Sequence, residues 1–121
     1  MSQRILIVDD EPNIVVSLEY LMKKEGFEIA VATDGESALR LAAEFLPDLV
    51  LLDVMMPKKS GFEVCEAMRA DPRLGAVKII MLTAKGRETE IAKGMALGAD
   101  AYITKPFSTK DLVRQIKSLL A

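Results

Sequence analysis

The sequence predicts an α/β fold: a three-layer sandwich with a doubly wound, five-stranded parallel sheet between helices on both faces. Three observations point to it. Short apolar runs alternate with segments whose apolar residues recur at helical spacing, the signature of βαβ units. The first and third runs are continuously apolar, as strands covered on both faces are. Four runs end in polar groups able to do chemistry: Ile5–Val8 before Asp9 and Asp10, Leu49–Leu52 before Asp53, Ile79–Leu82 before Thr83, and Ala101–Ile103 before Thr104 and Lys105. In a parallel sheet all these groups lie at carboxyl-terminal strand ends, the edge where open α/β sheets bind ligands.

The elements follow in order. Arg4–Val8 reads as the first strand. Pro12 suits the first turn of a helix, and Ile14, Val15, Leu18, Leu21 and Met22 give that helix its stripe. Gly26 suits its exit. Glu28–Ala32 is shorter in apolar content and reads as an edge strand. Thr33 and Glu36 have capping-box spacing ahead of a helix carrying Ala38, Leu39, Ala42 and Ala43, and Pro47 stops it. Asp48–Leu52 is the third strand. Ser60 and Glu63 repeat the capping-box spacing before a helix that packs Val64, Cys65, Ala67 and Met68. Asp71-Pro72 and Gly75 mark a return loop. Val77–Leu82 is the fourth strand, Glu88–Leu97 a helix leaving at Gly98, and Ala101–Ile103 a short fifth strand. Ser108 and Asp111 open a last amphipathic helix with Leu112, Val113, Ile116, Leu119 and Leu120. Each helix has one apolar face, which fits a single sheet between two helical layers.

Composition removes many functions. The 121 residues suffice for one domain with its own core. A net charge of −2, with basic residues scattered and Lys58–Lys59 too short to be a patch, gives no case for binding nucleic acid or an anionic membrane. The single cysteine, Cys65, excludes an internal disulfide and fits a reducing compartment; it falls on a buried helical face and reads as core. No apolar run approaches membrane-spanning length and no secretory signal opens the chain, so a cytoplasmic location is expected. The absence of histidine removes His-based zinc sites, Ser–His and Cys–His catalysis, and a phosphohistidine on this chain.

Carboxylates, hydroxyls and lysines remain. Asp9 and Asp10 either cap the helix that follows or, crowded with Asp53, share a hard divalent cation, for which Mg²⁺ suits a few carboxylates plus phosphate oxygen. Asp53 is open to three roles: metal ligand, strand-end cap, or nucleophile accepting a phosphoryl group. Such a transfer needs neutralised equatorial oxygens, which a cation, the Thr83 hydroxyl and the Lys105 ammonium would supply. Alone, Thr83 is an ordinary turn cap and Lys105 a solvated lysine; their order along four strand ends carries the signal. Lys105-Pro106 is a candidate cis peptide. Asp48 belongs to the opposite edge, solvated or capping.

The motifs Ile7-Val8-Asp9-Asp10-Glu11-Pro12, Leu52-Asp53-Val54-Met55-Met56-Pro57 with Gly61, Thr83-Ala84, and Gly98-Ala99-Asp100-Ala101-Tyr102-Ile103-Thr104-Lys105-Pro106-Phe107 run together over Arg4 to Leu120. On these residues the chain resembles the receiver domain of bacterial two-component response regulators, including the single-domain chemotaxis regulators. The resemblance implies the flavodoxin-like strand order 2-1-3-4-5. It implies that Asp53 is the phosphoryl acceptor, taking its group from a sensor histidine kinase or histidine phosphotransfer protein. Asp10, Asp53 and the backbone carbonyl of Met55 would bind Mg²⁺, or Mn²⁺ as a substitute, with Asp9 acting through a metal-bound water. Thr83, Ala84 and Lys105 would surround the phosphoryl group. Tyr102, otherwise a half-buried strand residue with its hydroxyl in water, would be the switch aromatic, turning inward as Thr83 is drawn to phosphate. The only catalysis implied is the chain's own phosphotransfer and autodephosphorylation.

Residues 1–121 are expected to form a single receiver domain without an effector domain, acting on a downstream protein or on an effector domain of a longer regulator. Ile91, Ala96, Ala101 and Gln115 stand where dimerising relatives in the winged-helix subfamily carry a charged network. A phosphorylation-dependent homodimer would then rest on a more apolar contact, or no dimer would form there. Met55 and Lys85 occupy positions that tune phosphoryl lifetime in the family. Two other readings compete. An unphosphorylated interaction module would have no need of the acid cluster and Lys105. A hydrolase with an aspartyl nucleophile would want an acid at Met55, which cannot transfer a proton.

Overall fold

The computed structural model describes residues 2–56, 59–84 and 87–121. Pro57, Lys58 and Lys85, singled out above, lie outside the described residues. The strands β1 (Arg4–Val8), β2 (Glu28–Ala32), β3 (Leu49–Asp53), β4 (Lys78–Ala84) and β5 (Ala101–Lys105) form one parallel sheet in the order β2-β1-β3-β4-β5. Between and after them run α1 (Pro12–Lys24), α2 (Gly35–Phe45), α3 (Gly61–Ala70), α4 (Glu88–Ala96) and α5 (Thr109–Leu120). The fold is flavodoxin-like, with β2 at an edge as its polar sequence predicts.

Alternation along the central strands feeds two cores. Leu6, Val8, Val50, Leu52, Ile79 and Met81 face α2 and α3, meeting Ala38, Ala42, Val64, Cys65 and Met68. Gly94 brings α4 onto the same face, where an added Cβ would stand 3.3 Å from the Met81 side chain. Ile5, Ile7, Leu49, Leu51, Ile80 and Leu82 face α1 and α5, meeting Leu18, Met22, Leu112 and Ile116. Every residue from Ile5 to Val8 and from Leu49 to Leu52 is fully buried. At about 2 kcal/mol for each large aliphatic side chain, β1 and β3 are the rigid centre against which the site is built.

Several predicted boundaries move. β5 runs to Lys105 and β4 to Ala84, past their apolar stretches, because Thr83 pairs with Thr104 and Ala84 with Lys105 through backbone alone. β3 begins at Leu49 and ends at Asp53, while Asp48 accepts the Arg4 N–H on its Oδ2 at 2.7 Å. The box expected of Thr33 and Glu36 is replaced by Asp34, whose Oδ1 accepts the Ser37 N–H at 2.8 Å. The box at Ser60 and Glu63 forms with both reciprocal bonds. Ser108 accepts the Asp111 N–H at the start of α5.

Candidate functional site

The carboxyl-terminal ends of β1, β3, β4 and β5 converge, and each contributes one of the polar side chains that the sequence singles out. Asp9 follows β1 and is fully buried. Its Oδ1 accepts the Glu11 N–H at 2.9 Å, so it orders the entry to α1, while Oδ2 lies 2.8 Å from Lys105 Nζ. Asp9 thus serves both the local turn and the charge cluster. Asp10 is exposed, and one carboxylate oxygen from each of Asp9, Asp10 and Asp53 falls within 4.8 Å of the others. Three acidic groups this close, with oxygen donors only, form a donor set that fits a hard divalent cation.

Asp53 closes β3 with 6% of its surface exposed. Gly61 fixes its backbone: its N–H donates to Val54 O at 2.9 Å, and a Cβ there would lie 2.2 Å from Asp53 O. Burial, reinforced by the nearby Asp9 charge, pushes the Asp53 carboxyl up to about 6 despite Lys105 beside it. Lys105 Nζ donates to Glu11 Oε1 at 2.9 Å and to Asp53 Oδ1 at 3.3 Å. Burial works against the Lys105 charge, but bonds to Asp9 and Glu11 and the charge of Asp53 outweigh it and hold the ammonium above the usual lysine range. The Lys105–Pro106 peptide is cis.

Thr83 is 2% exposed, and among the described residues its Oγ1 has no hydrogen-bond partner. A buried hydroxyl left so is costly, and it lines the same cleft of about 130 Å³ as Asp53, Met55, Ala84 and Lys105. Tyr102 stands apart, 44% exposed on β5, beside a second groove of about 580 Å³ with Met95, Phe107 and Gln115. Glu11, Arg87 and Glu90 also line this cleft and are not among the site residues that the sequence predicts. An acidic run through Glu11 was the one available signal; Arg87 and Glu90 had only their opposite charges at helical spacing.

The sequence profile of the response regulator receiver domain matches residues 5–117. The chain belongs to the response regulator receiver domain family. Receiver domains of this family serve two-component systems as signalling phospho-acceptors rather than as classical enzymes. The chain is 44% identical over 120 residues to the alkaline phosphatase synthesis transcriptional regulatory protein PhoP of Bacillus subtilis, covering 99% of this chain and 49% of that protein. It is 45% identical over 120 residues to the DNA-binding response regulator MtrA of Mycolicibacterium smegmatis, covering 99% and 51%. The receiver thus spans about half the length of the curated relatives it matches. The receiver domain of the sensor histidine kinase PA1611 of Pseudomonas aeruginosa superposes with a TM-score of 0.91 at 28% identity, over 99% of this chain and 98% of that one. That receiver carries a magnesium ion coordinated in its active-site cleft. Among the described residues, no helix is long and apolar enough to cross a membrane.

Proposed function

We propose that this receiver is switched by phosphorylation of Asp53. The buried Thr83 hydroxyl, partnerless among the described residues and lining the cleft of Asp53 and Lys105, carries this reading. An interaction module without phosphate chemistry has no reason to bury it so. A sensor histidine kinase or histidine phosphotransfer protein presents a phosphoramidate. An Asp53 oxygen attacks phosphorus, the P–N bond breaks, and its electron pair stays on the donor imidazole. The Asp9, Asp10 and Asp53 carboxylates and the Met55 carbonyl would hold Mg²⁺, with Mn²⁺ as a substitute. The ion supplies positive charge that offsets the crowded carboxylates and the phosphoryl oxygens. Lys105 bonds one phosphoryl oxygen and Thr83 another, beside Ala84.

Drawing Thr83 toward phosphate frees space for Tyr102 to turn in from the surface, which changes the face formed by α4, β5 and α5. A downstream effector protein, an effector domain of a longer regulator, or a second phosphorylated copy reads that face. A net charge of −2 with scattered basic residues favours neither nucleic acid nor an anionic membrane as a direct partner of this domain, and the reading places it in the cytoplasm. Its catalysis is confined to its own phosphotransfer and autodephosphorylation.

Intact-mass measurement after incubation with Mg²⁺ and a small phosphoryl donor tests the reading. One phosphoryl adduct is expected on the wild type and none on Asp53→Asn. An undiminished adduct on that variant, or none on the wild type, overturns it.

A further inference from the structure

We propose that Arg87 is a second cationic contact for the phosphoryl group on Asp53, held in reserve by Glu90. The inference rests on the phosphoryl-acceptor reading of Asp53. Among the described residues, Arg87 is the only cation besides Lys105 that lines the cleft. Lys105 is already divided among Asp9, Glu11 and Asp53. Phosphorylation adds about −1.5 to −2 of charge and three strong acceptor oxygens at one point. Thr83 offers one hydroxyl, and a divalent cation together with Lys105 does not balance the phosphoryl charge added to Asp9, Asp10 and Glu11, so the site is short of positive charge. A guanidinium supplies it, in a fork that fits two phosphoryl oxygens.

The present partner of Arg87 is weak. Its Nη1 lies 3.6 Å from Glu90 Oε2, beyond hydrogen-bond length, and its side chain is 56% exposed. Exposed pairs of this kind contribute little, so the guanidinium leaves Glu90 for a doubly charged phosphoryl group at small cost. Arg87 is also the residue from which α4 starts, and it makes no side-chain capping bond there. Drawing it to the phosphoryl group therefore pulls on the first turn of α4, giving the site a second route to the surface besides Thr83 and Tyr102.

Calorimetric titration of the Mg²⁺-loaded chain with beryllofluoride, which becomes tetrahedral on a carboxylate oxygen and so mimics a bound phosphoryl group, tests the exchange at fixed ionic strength. Arg87→Gln should weaken binding roughly 3- to 10-fold, with Arg87→Lys recovering part of the loss. Glu90→Gln should tighten binding about 2- to 3-fold, and that gain should vanish in the Arg87→Gln background. Unchanged affinity in Arg87→Gln overturns the proposal. So does a Glu90→Gln gain that persists without Arg87, because Glu90 would then act by its field alone. Arg87→Gln is still expected to take one phosphoryl group by mass. A wild type that binds no beryllofluoride and takes no phosphoryl group fails the Asp53 reading itself, a different outcome from an Arg87 variant that matches wild type.

Discussion

Asp53 is under electrostatic pressure before any ligand reaches it. Burial and Asp9 raise its carboxyl from 3.8 to about 6. A carboxyl raised on folding binds its proton more readily in the folded state, so stability falls as pH rises from the unfolded value through the folded one. In chelator, wild-type stability should therefore decline by about 2 kcal/mol relative to Asp53→Asn between roughly pH 4 and pH 7. Urea unfolding of both proteins across that range measures the difference, and a gap that stays flat or reverses contradicts the pressure. The three acids and Lys105 were legible in the sequence because each follows an apolar run. Glu11 was not, because what places it is the reach of Lys105 across 94 positions of sequence to a 2.9 Å bond.

Elements aim these residues, and α3 shows how closely. It starts against the end of β3, with Gly61 where a Cβ would meet Asp53 O at 2.2 Å. Backbone cannot yield there as a flexible side chain would. Gly61→Ala should cost at least about 2 kcal/mol and slow phosphoryl uptake by displacing Asp53. Ser60→Ala, one residue away, removes only a capping bond and should cost about 1 kcal/mol with uptake retained. Thermal unfolding beside the mass assay separates the two; equal uptake in both variants would mean that the Gly61 contact does not aim Asp53. The Ser60–Glu63 box was readable because its bonds are local. The cap of α2 lies one residue beyond the Thr33 that the spacing predicts, because Thr33 and Asp34 are both good caps. Asp34 takes the position with two bonds to one residue, its Oδ1 accepting the Ser37 N–H and its Oδ2 the Ser37 hydroxyl. Strand ends differ from the apolar runs because β5 continues through Thr104 and Lys105 on backbone pairing that side-chain polarity does not reveal.

Across the whole molecule the two sheet edges divide the labour. The carboxyl-terminal edge gathers like charges, which destabilise. At the opposite edge, charges are paired with backbone. Asp48 accepts the Arg4 N–H, and Arg69 at the end of α3 binds Gly98 O at 2.8 Å, Gly75 O at 3.1 Å and Asp100 Oδ2 at 2.8 Å. The same Asp100 oxygen accepts the Ile79 N–H at 2.8 Å. One guanidinium thus ties α3, the loop before β4 and the turn before β5. Sequence placed Asp48 on this edge by its position before a strand. It gave no sign of the Arg69 clasp, whose partners lie 6 to 31 residues away and meet only once helix α3 has packed. If the edges are independent, Arg69→Met should lower stability by about 2–3 kcal/mol by leaving the Gly98, Gly75 and Val77 carbonyls without its N–H groups and Asp100 with the Ile79 N–H alone, and Tm by roughly 10 °C. Well below the lowered Tm, it should still take one phosphoryl group at the wild-type rate. A rate that falls with stability would show instead that the clasp at the far edge holds the strands at the spacing Asp53, Thr83 and Lys105 require.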